Sequence, residues 1–294
     1  MAETWRLIRS GHLSGARNMA VDEALMLSTA AGGPPTLRFY GWEPAAVSIG
    51  YFQDIEREVD EAACKSLDID IVRRLTGGRA VLHDVEVTYS LVIPEDHPMI
   101  PPSVVESYRI ISEGLVRGLR ELGLDARMTM PKRSENGRAL RPEEGGSAAC
   151  FDAPSWYEVT VDGKKVIGSA QVRKYGVLLQ HGSIPLQLNA EKLFAILRYS
   201  SERARERAKR AFMAKAGSIR EALGRPVSFL EVCDHLLFGL QEELGIEFVE
   251  SELTEREEAM ADQLIRERYG KPEWNKQRGR RTGEIYTLKR SVAP

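Results

Sequence analysis

The side chains best suited to chemistry in this 294-residue chain are the thiol of Cys150, the amine of Lys165 and the imidazoles of His83 and His181, together with the backbone of the Thr76-Gly77-Gly78 turn. A cysteine acts as a nucleophile through its thiolate, so its surroundings decide its use. Cys233 lies at helical spacing with Phe229, Leu236, Leu237 and Leu240, and Cys64 lies beside Ala62, Ala63 and Leu67 in a predicted helix. On such stripes a cysteine behaves as a small hydrophobe, and both are read as core residues. Cys150 is placed differently. It follows a polar, glycine-rich stretch, 131–147, and precedes Phe-Asp-Ala-Pro-Ser-Trp, a loop-to-strand junction that a substrate can reach. From this context it is either a catalytic nucleophile or an incidental, partly buried thiol.

A thiolate near neutral pH needs a neighbouring cation or a helix N-terminus, because the free thiol titrates at about 8.5. Lys165 is the nearest candidate in sequence. It follows Asp162-Gly163, a pair suited to a tight hairpin turn, which predicts Val161 opposite Lys164 and Thr160 opposite Lys165. Alternation then sets Lys165 on one face with Ile167, Ser169 and Gln171, and Lys164 on the other. The spacing leaves open whether Lys165 meets Cys150 or is an exposed hairpin lysine. The run Arg73-Arg74-Leu75-Thr76-Gly77-Gly78-Arg79-Ala80-Val81-Leu82-His83 joins two predicted strands. Its Thr-Gly-Gly turn lets backbone amides approach a carbonyl or phosphate with no Cβ in the way. It matches neither the phosphate-loop nor the dinucleotide pattern, so a carbonyl- or anion-binding loop and an ordinary turn both stand. His83 and His181 are acid–base groups or hydrogen-bonded structural residues.

Elements must position these groups. Strands are predicted over 36–40, 46–50, 69–73, 80–82, 86–92, 156–161, 165–171 and 176–188, and helices over 16–29 and 58–67 and from a Ser103 cap to Gly123. From about 192 onward the chain reads as helical, with segments at 201–212, 228–244 and from Thr254 toward Gly270, followed by a basic tail. The fold class is α/β, an α+β mixed sheet with packed helices. The chain divides into a catalytic domain over 1–250 and a helical C-terminal extension with its tail over 251–294.

Composition narrows the function. With 43% hydrophobic and 29% charged residues and a net charge of -2, the chain is an ordinary globular protein and not a bulk nucleic-acid binder. The start carries no basic segment followed by an apolar stretch, and no run of roughly 18 apolar residues occurs, so secretion and membrane spanning lack support and a cytoplasmic protein is expected. Cysteine and histidine spacing suggests neither a disulfide framework nor a metal site. Arg203, Arg205, Arg207, Lys209 and Arg210 alternate with Glu202 and Glu206. They form a solvated helix face or a surface that steers acidic partners.

Four ordered motifs closely resemble the LipM-type octanoyltransferases of the biotin/lipoate protein ligase superfamily: Arg-Arg-Leu-Thr-Gly-Gly-Arg-Ala-Val-Leu-His (73–83), Cys-Phe-Asp-Ala-Pro-Ser-Trp-Tyr-Glu (150–158), Lys-Val-Ile-Gly-Ser-Ala-Gln (165–171) and Gln-His-Gly-Ser (180–183). The resemblance runs from Trp5 through the Glu273-Trp274-Asn275 region. It implies a biotin/lipoate protein ligase-like catalytic domain that moves octanoyl from acyl carrier protein to a lysine of the glycine cleavage H protein or another lipoyl domain. No cofactor or metal is implied, and no nucleic-acid or membrane partner. Cys150 matches the family's acyl-thioester nucleophile and Lys165 the lysine beside it. Arg73, Thr76, Gly77, Gly78, His83, Gly168, Ser169 and Ala170 match substrate-binding positions, with the glycine loop along the acyl chain and carbonyl and the role of His83 unassigned. Burial of the acyl carbons beyond the carbonyl contributes up to about 5–6 kcal/mol at about 0.8 kcal/mol per methylene, which suits a narrow apolar tunnel. Competing readings are an ATP-dependent lipoate ligase, an octanoyl amidotransferase and a catalytically silent carrier-binding protein. Arg79 stands where the ligases commonly carry a third glycine, and Cys150 has no role in adenylation.

Overall fold

The computed structural model describes residues 3–129 and 157–277. Cys150 and the 131–147 stretch lie outside the described residues. Among those described, β1 (Glu3–Leu13), β2 (Thr36–Trp42), β6 (Glu86–Pro94), β7 (Ala126–Thr129), β8 (Glu158–Val161), β9 (Lys164–Lys174), β10 (Val177–Pro185) and β11 (Ile246–Glu250) form an eight-stranded sheet in the order β11-β1-β2-β6-β10-β9-β8-β7. β1 pairs in parallel with β11 and β2, and the remaining neighbours are antiparallel. A smaller sheet, β4-β3-β5, is built from β3 (Ala46–Ile49), β4 (Asp70–Arg73) and β5 (Val81–His83).

Period-two alternation sorts the large sheet's side chains between two environments. Leu37, Phe39, Tyr89, Leu91 and Ile93 enter a core with α4 (Val104–Glu121), the short α7 (Ile219–Leu223) and α8 (Phe229–Leu244). Tyr40 and Val92 face the opposite side and pack with α1 (Gly15–Ala30). A third cluster joins the small sheet to α3 (Glu61–Ser66), α5 (Ala190–Ile196) and α6 (Glu202–Lys215). Each large apolar side chain buried here is worth roughly 1.5–3 kcal/mol, against about 0–1 for an exposed ion pair, so burial of these stripes dominates the energetics.

The predicted helix over 58–67 is two pieces, α2 (Ile55–Glu58) and α3. Val59 between them is extended and bridges Leu197, and the Asp60 carboxylate accepts from the amides of Ala62 and Ala63 to start a new helix. Strands β1, β7 and β11 have no counterpart in the sequence reading. Ser103, Ser201, Ser228 and Thr254 cap the helices they precede, and Thr254 forms a reciprocal capping box with Glu257.

C-terminal helix α9 (Glu255–Leu264) continues as a π-helical turn (Ile265–Tyr269) and then α10 (Pro272–Lys276), and it packs along α1. Glu257 is its main polar anchor, accepting from Arg6 at 2.8 and 3.0 Å and from the Thr254 amide. Burial would raise this carboxyl, but the Arg6 and Thr254 hydrogen bonds outweigh it and hold it at about 2. A carboxyl depressed on folding stabilises the native state above its ordinary value of 4.5 and loses that contribution as pH falls toward about 2. Glu257→Gln should therefore cost about 1.5–3 kcal/mol at neutral pH. Melting curves against pH should show the gap to wild type closing as pH falls between those two values. A gap that does not change with pH would contradict this account.

Candidate active site

The Asp162-Gly163 turn forms as expected, with φ of 50° and 75°, both in the left-handed region that a two-residue hairpin of this hand requires. Thr160 pairs with Lys165 and Val161 with Lys164. The register then shifts, so that Val159 faces Ile167. This bulge breaks the expected alternation. Val166 and Ile167 both enter the core with Val159 and Val161. Lys165 lies on the other side with Glu158, to which its Nζ donates at 3.1 Å. The residues sharing its side farther along β9 are consequently Gly168 and Ala170, in place of Ile167, Ser169 and Gln171. Lys165 is 5% exposed, and its main-chain oxygen accepts from the Gly217 amide at 2.9 Å.

Gly168 and Ala170 begin a row that crosses the sheet. Gly168 pairs with Ser183, Ser183 with Thr88, and Thr88 with Tyr40, while Ala170 pairs with His181. With strands about 4.8 Å apart, this row spans roughly 14 Å from β9 to β2. Small side chains at the β9 end leave a recess over it, walled by Met19, Trp42, Val81 and His83, with Arg74 and Gly78 above. The recess has a cavity volume of about 50 Å³ and opens to solvent.

Two hydrogen-bonded chains run through the lining of the recess. In the first, Arg74 Nη1 donates to Ser48 Oγ at 2.9 Å, which leaves the hydroxyl proton for His83 Nε2 at 2.7 Å. His83 Nδ1 donates to Glu86 Oε1 at 2.8 Å, and Glu86 also accepts from Thr88 and from Ser183. The His83 ring stacks on Trp42 at 4.0 Å between centroids, and the Trp42 indole N–H donates to Thr88 at 2.8 Å. In the second chain, the Thr76 hydroxyl donates to His181 Nε2 at 2.7 Å, and His181 Nδ1 donates to Asp22 Oδ2 at 3.3 Å. Asp22 also accepts from Arg38, Tyr40 and Ser90. Burial holds His181 below the usual imidazole range, so its ring is neutral at physiological pH. Burial alone would raise Asp22, but His181, Arg38 and Tyr40 keep it below its ordinary value and ionised. Fully paired buried networks of this kind fix side-chain positions.

The Thr76-Gly77-Gly78 loop forms the upper rim. Gly78 has φ of 94°, where glycine is strongly favoured. A Cβ on Gly50 would stand 2.1 Å from the Gly78 carbonyl, so the loop rests directly on the turn that follows β3.

The structure thus brings Thr76, Gly78, His83, Gly168, Ser169 and Ala170 to one recess or its supports, with Lys165 on the adjoining stretch of β9. Gly77 sits on the same loop, against Phe52. Arg73 does not line the recess. It is buried, and its guanidinium donates to the carbonyls of Gly50, Tyr51, Gln53, Trp274 and Asn275. Burial pushes that guanidinium down to about 10, still charged at neutral pH. Its neighbour Arg74 is the arginine of the recess. Ser48, Asp22, Trp42 and Glu86 were also absent from the expected site. Asp22, Trp42 and Ser48 sit far from the motifs in sequence and Glu86 just beyond the first of them, whereas Arg74 and His181 lie within them. Cys64 and Cys233 are buried in cores, where burial pushes their thiols up to about 11 and about 12.

The family model for the lipoyl protein ligase A/B catalytic domain matches residues 14–241. Among curated proteins, the octanoyltransferase LipM of Kyrpidia tusciae is 53% identical over 274 residues, covering 93% of this chain and 98% of that protein. That of Bacillus subtilis is 46% identical over 277 residues, covering 94% and 99%. Among solved structures, a bi-partite lipoate protein ligase of Thermoplasma acidophilum, described together with its E2 lipoyl domain, superposes with a TM-score of 0.77 at 30% identity, covering 95% of this chain and 98% of that one. A lipoate-protein ligase A bound with ATP gives 0.72 at 30% identity, covering 94% and 99%.

Proposed function

The chain belongs to the lipoyl protein ligase A/B catalytic-domain family, and we propose that it works within it by carrying an octanoyl group as a thioester on Cys150. It is an octanoyltransferase of lipoate biosynthesis, as its curated relatives are named. The donor in this reading is octanoyl-acyl carrier protein and the acceptor a lysine of the glycine cleavage H protein, both cytoplasmic. Among the described residues no helix is long and apolar enough to cross a membrane.

The observation that carries the reading is the placement of Lys165: a buried side chain on the strand whose next residues, Gly168 and Ala170, floor the recess. Its cation lowers the cost of a thiolate on Cys150. The thiolate attacks the donor's thioester carbonyl, the carbonyl oxygen takes up negative charge, and on collapse the carbonyl–sulfur bond to the carrier breaks, its thiolate taking from solvent the proton that Cys150 had released. Thioester exchanges for thioester, so the step is nearly balanced and needs no ATP. The acceptor amine then attacks the Cys150 thioester, giving a stable amide and returning the thiol. Amides of the Thr76-Gly77-Gly78 loop serve both tetrahedral intermediates, the loop being held at Thr76 through His181 and at the Gly77 carbonyl through Arg74. His83 holds Ser48 and Trp42 in place at the wall of the recess and touches no reacting atom in this scheme.

The test is direct. Purified protein mixed with octanoyl-acyl carrier protein should gain the mass of one octanoyl group on the peptide containing Cys150. Added H protein should discharge it at the same rate with and without ATP. An adduct that appears only with ATP and free octanoate would replace this reading with that of a ligase.

A further inference from the structure

Strand β4 is an outer strand of the small sheet, so the groups on its far side lack a strand partner. Asn275 supplies one with its side chain. Its Oδ1 accepts from the Arg73 amide at 2.8 Å and its Nδ2 donates to the Ile71 carbonyl at 2.8 Å, the two groups a neighbouring strand would engage. Trp274 adds an indole N–H to the Arg73 carbonyl at 3.0 Å. The Arg73 side chain then runs between two segments. It binds the carbonyls of Trp274 and Asn275 at one end and those of Gly50, Tyr51 and Gln53 at the other. That second segment carries the glycine loop: the Tyr51 amide donates to the Thr76 carbonyl at 2.9 Å, and Gly50 lies against Gly78. Upstream, Arg268 and Tyr269 bind Glu23, the neighbour on α1 of the Asp22 that holds His181 and Thr76.

We propose that Asn275 and Trp274, acting through Arg73, are positioning residues for the acyl-binding glycine loop, so that the C-terminal turn outside the matched catalytic domain completes the active site. The proposal rests on the transfer reading for its kinetic consequence only. A loop held out of register loses its donors to the developing oxyanion, which are realised in the transition state. The effect therefore falls on kcat and spares KM.

Asn275→Ala should lower kcat for octanoyl transfer at least tenfold with KM for the octanoyl donor changed less than threefold. Asn275→Asp, which keeps the acceptor for the Arg73 amide, should recover part of the loss. Arg17→Ala is the control: it loosens α9 from α1 by removing the contacts to Glu258 and Asp262 far from the loop, and should lower Tm without lowering kcat. Hydrogen exchange gives a readout independent of any activity: the Tyr51 amide should exchange at least tenfold faster in Asn275→Ala and at the wild-type rate in Arg17→Ala. Equal kcat losses in Asn275→Ala and Arg17→Ala, or an unchanged Tyr51 exchange rate, would overturn the proposal. A wild-type protein inactive with the octanoyl donor would instead count against the transfer reading, leaving the exchange comparison to decide this one.

Discussion

Cys150→Ala should lower octanoyl transfer by roughly a thousandfold or more and leave no octanoyl mass on the protein. The size of the effect follows from the nucleophile's place in both half-reactions: without it, the acceptor amine must attack the carrier thioester directly, with neither substrate held by a covalent link. The other thiols cannot substitute. Cys64 and Cys233 sit in separate apolar cores, and burial pushes them to about 11 and about 12, so almost none of either is ionised at neutral pH. Cys64→Ala and Cys233→Ala should consequently keep transfer within about threefold of wild type, while losing modest stability from the space they vacate. Intact-mass spectrometry after mixing with octanoyl-acyl carrier protein reads the adduct, and a discharge assay reads transfer. An adduct that persists in Cys150→Ala, or transfer within tenfold of wild type, would remove the thioester from the mechanism.

Much of this architecture was legible in the sequence because it is local. The hairpin at Asp162-Gly163 follows from two residues that tolerate positive φ, the cap at Ser103 from a hydroxyl placed to accept from the third amide beyond it, and the helix starts at Ser201, Ser228 and Thr254 from the apolar and charged spacing that follows them. The two core cysteines follow from their neighbours' spacing. What escaped is set by distant partners. Val59 is extended because Leu197 meets it, and β11 becomes a strand because β1 offers an edge. The bulge at Lys165 arises because both Val166 and Ile167 find room in one core, and it reverses the face on which the following residues fall. The exchange of roles between Arg73 and Arg74 has the same origin. Adjacent strand residues point oppositely, and only the position of Trp274 and Asn275, some 200 residues away, decides which side is the recess. The motifs named Arg73, but it is Arg74 that lines the recess.

Lys165→Met should cut the rate of Cys150 acylation by about 10²–10³ at pH 7, and the loss should depend on pH. Methionine keeps the length and apolar stem of lysine, and the strand is held without the ammonium: Thr160 pairs with the Lys165 backbone, and the Gly217 amide bonds its carbonyl. Glu158, which the change leaves without this ammonium, has a side chain 25% exposed and can be hydrated, so the stability cost should stay near 1 kcal/mol. In the proposed mechanism the catalytic cost is larger because two functions go together. The thiol of Cys150 returns toward its ordinary value of about 8.5, which leaves only a few per cent thiolate at pH 7, and the oxyanion loses a cation. These are separable. As pH rises through about 8.5, the thiolate deficit should disappear and the variant's acylation rate should climb at least tenfold, while wild type, whose thiolate the proposed mechanism has formed by pH 7, should change little. What remains above that pH is the oxyanion contribution alone. Single-turnover acylation measured across that range on both proteins would distinguish the two, and a variant whose acylation matches wild type at pH 7 would show that Lys165 serves the fold of the hairpin and not the chemistry.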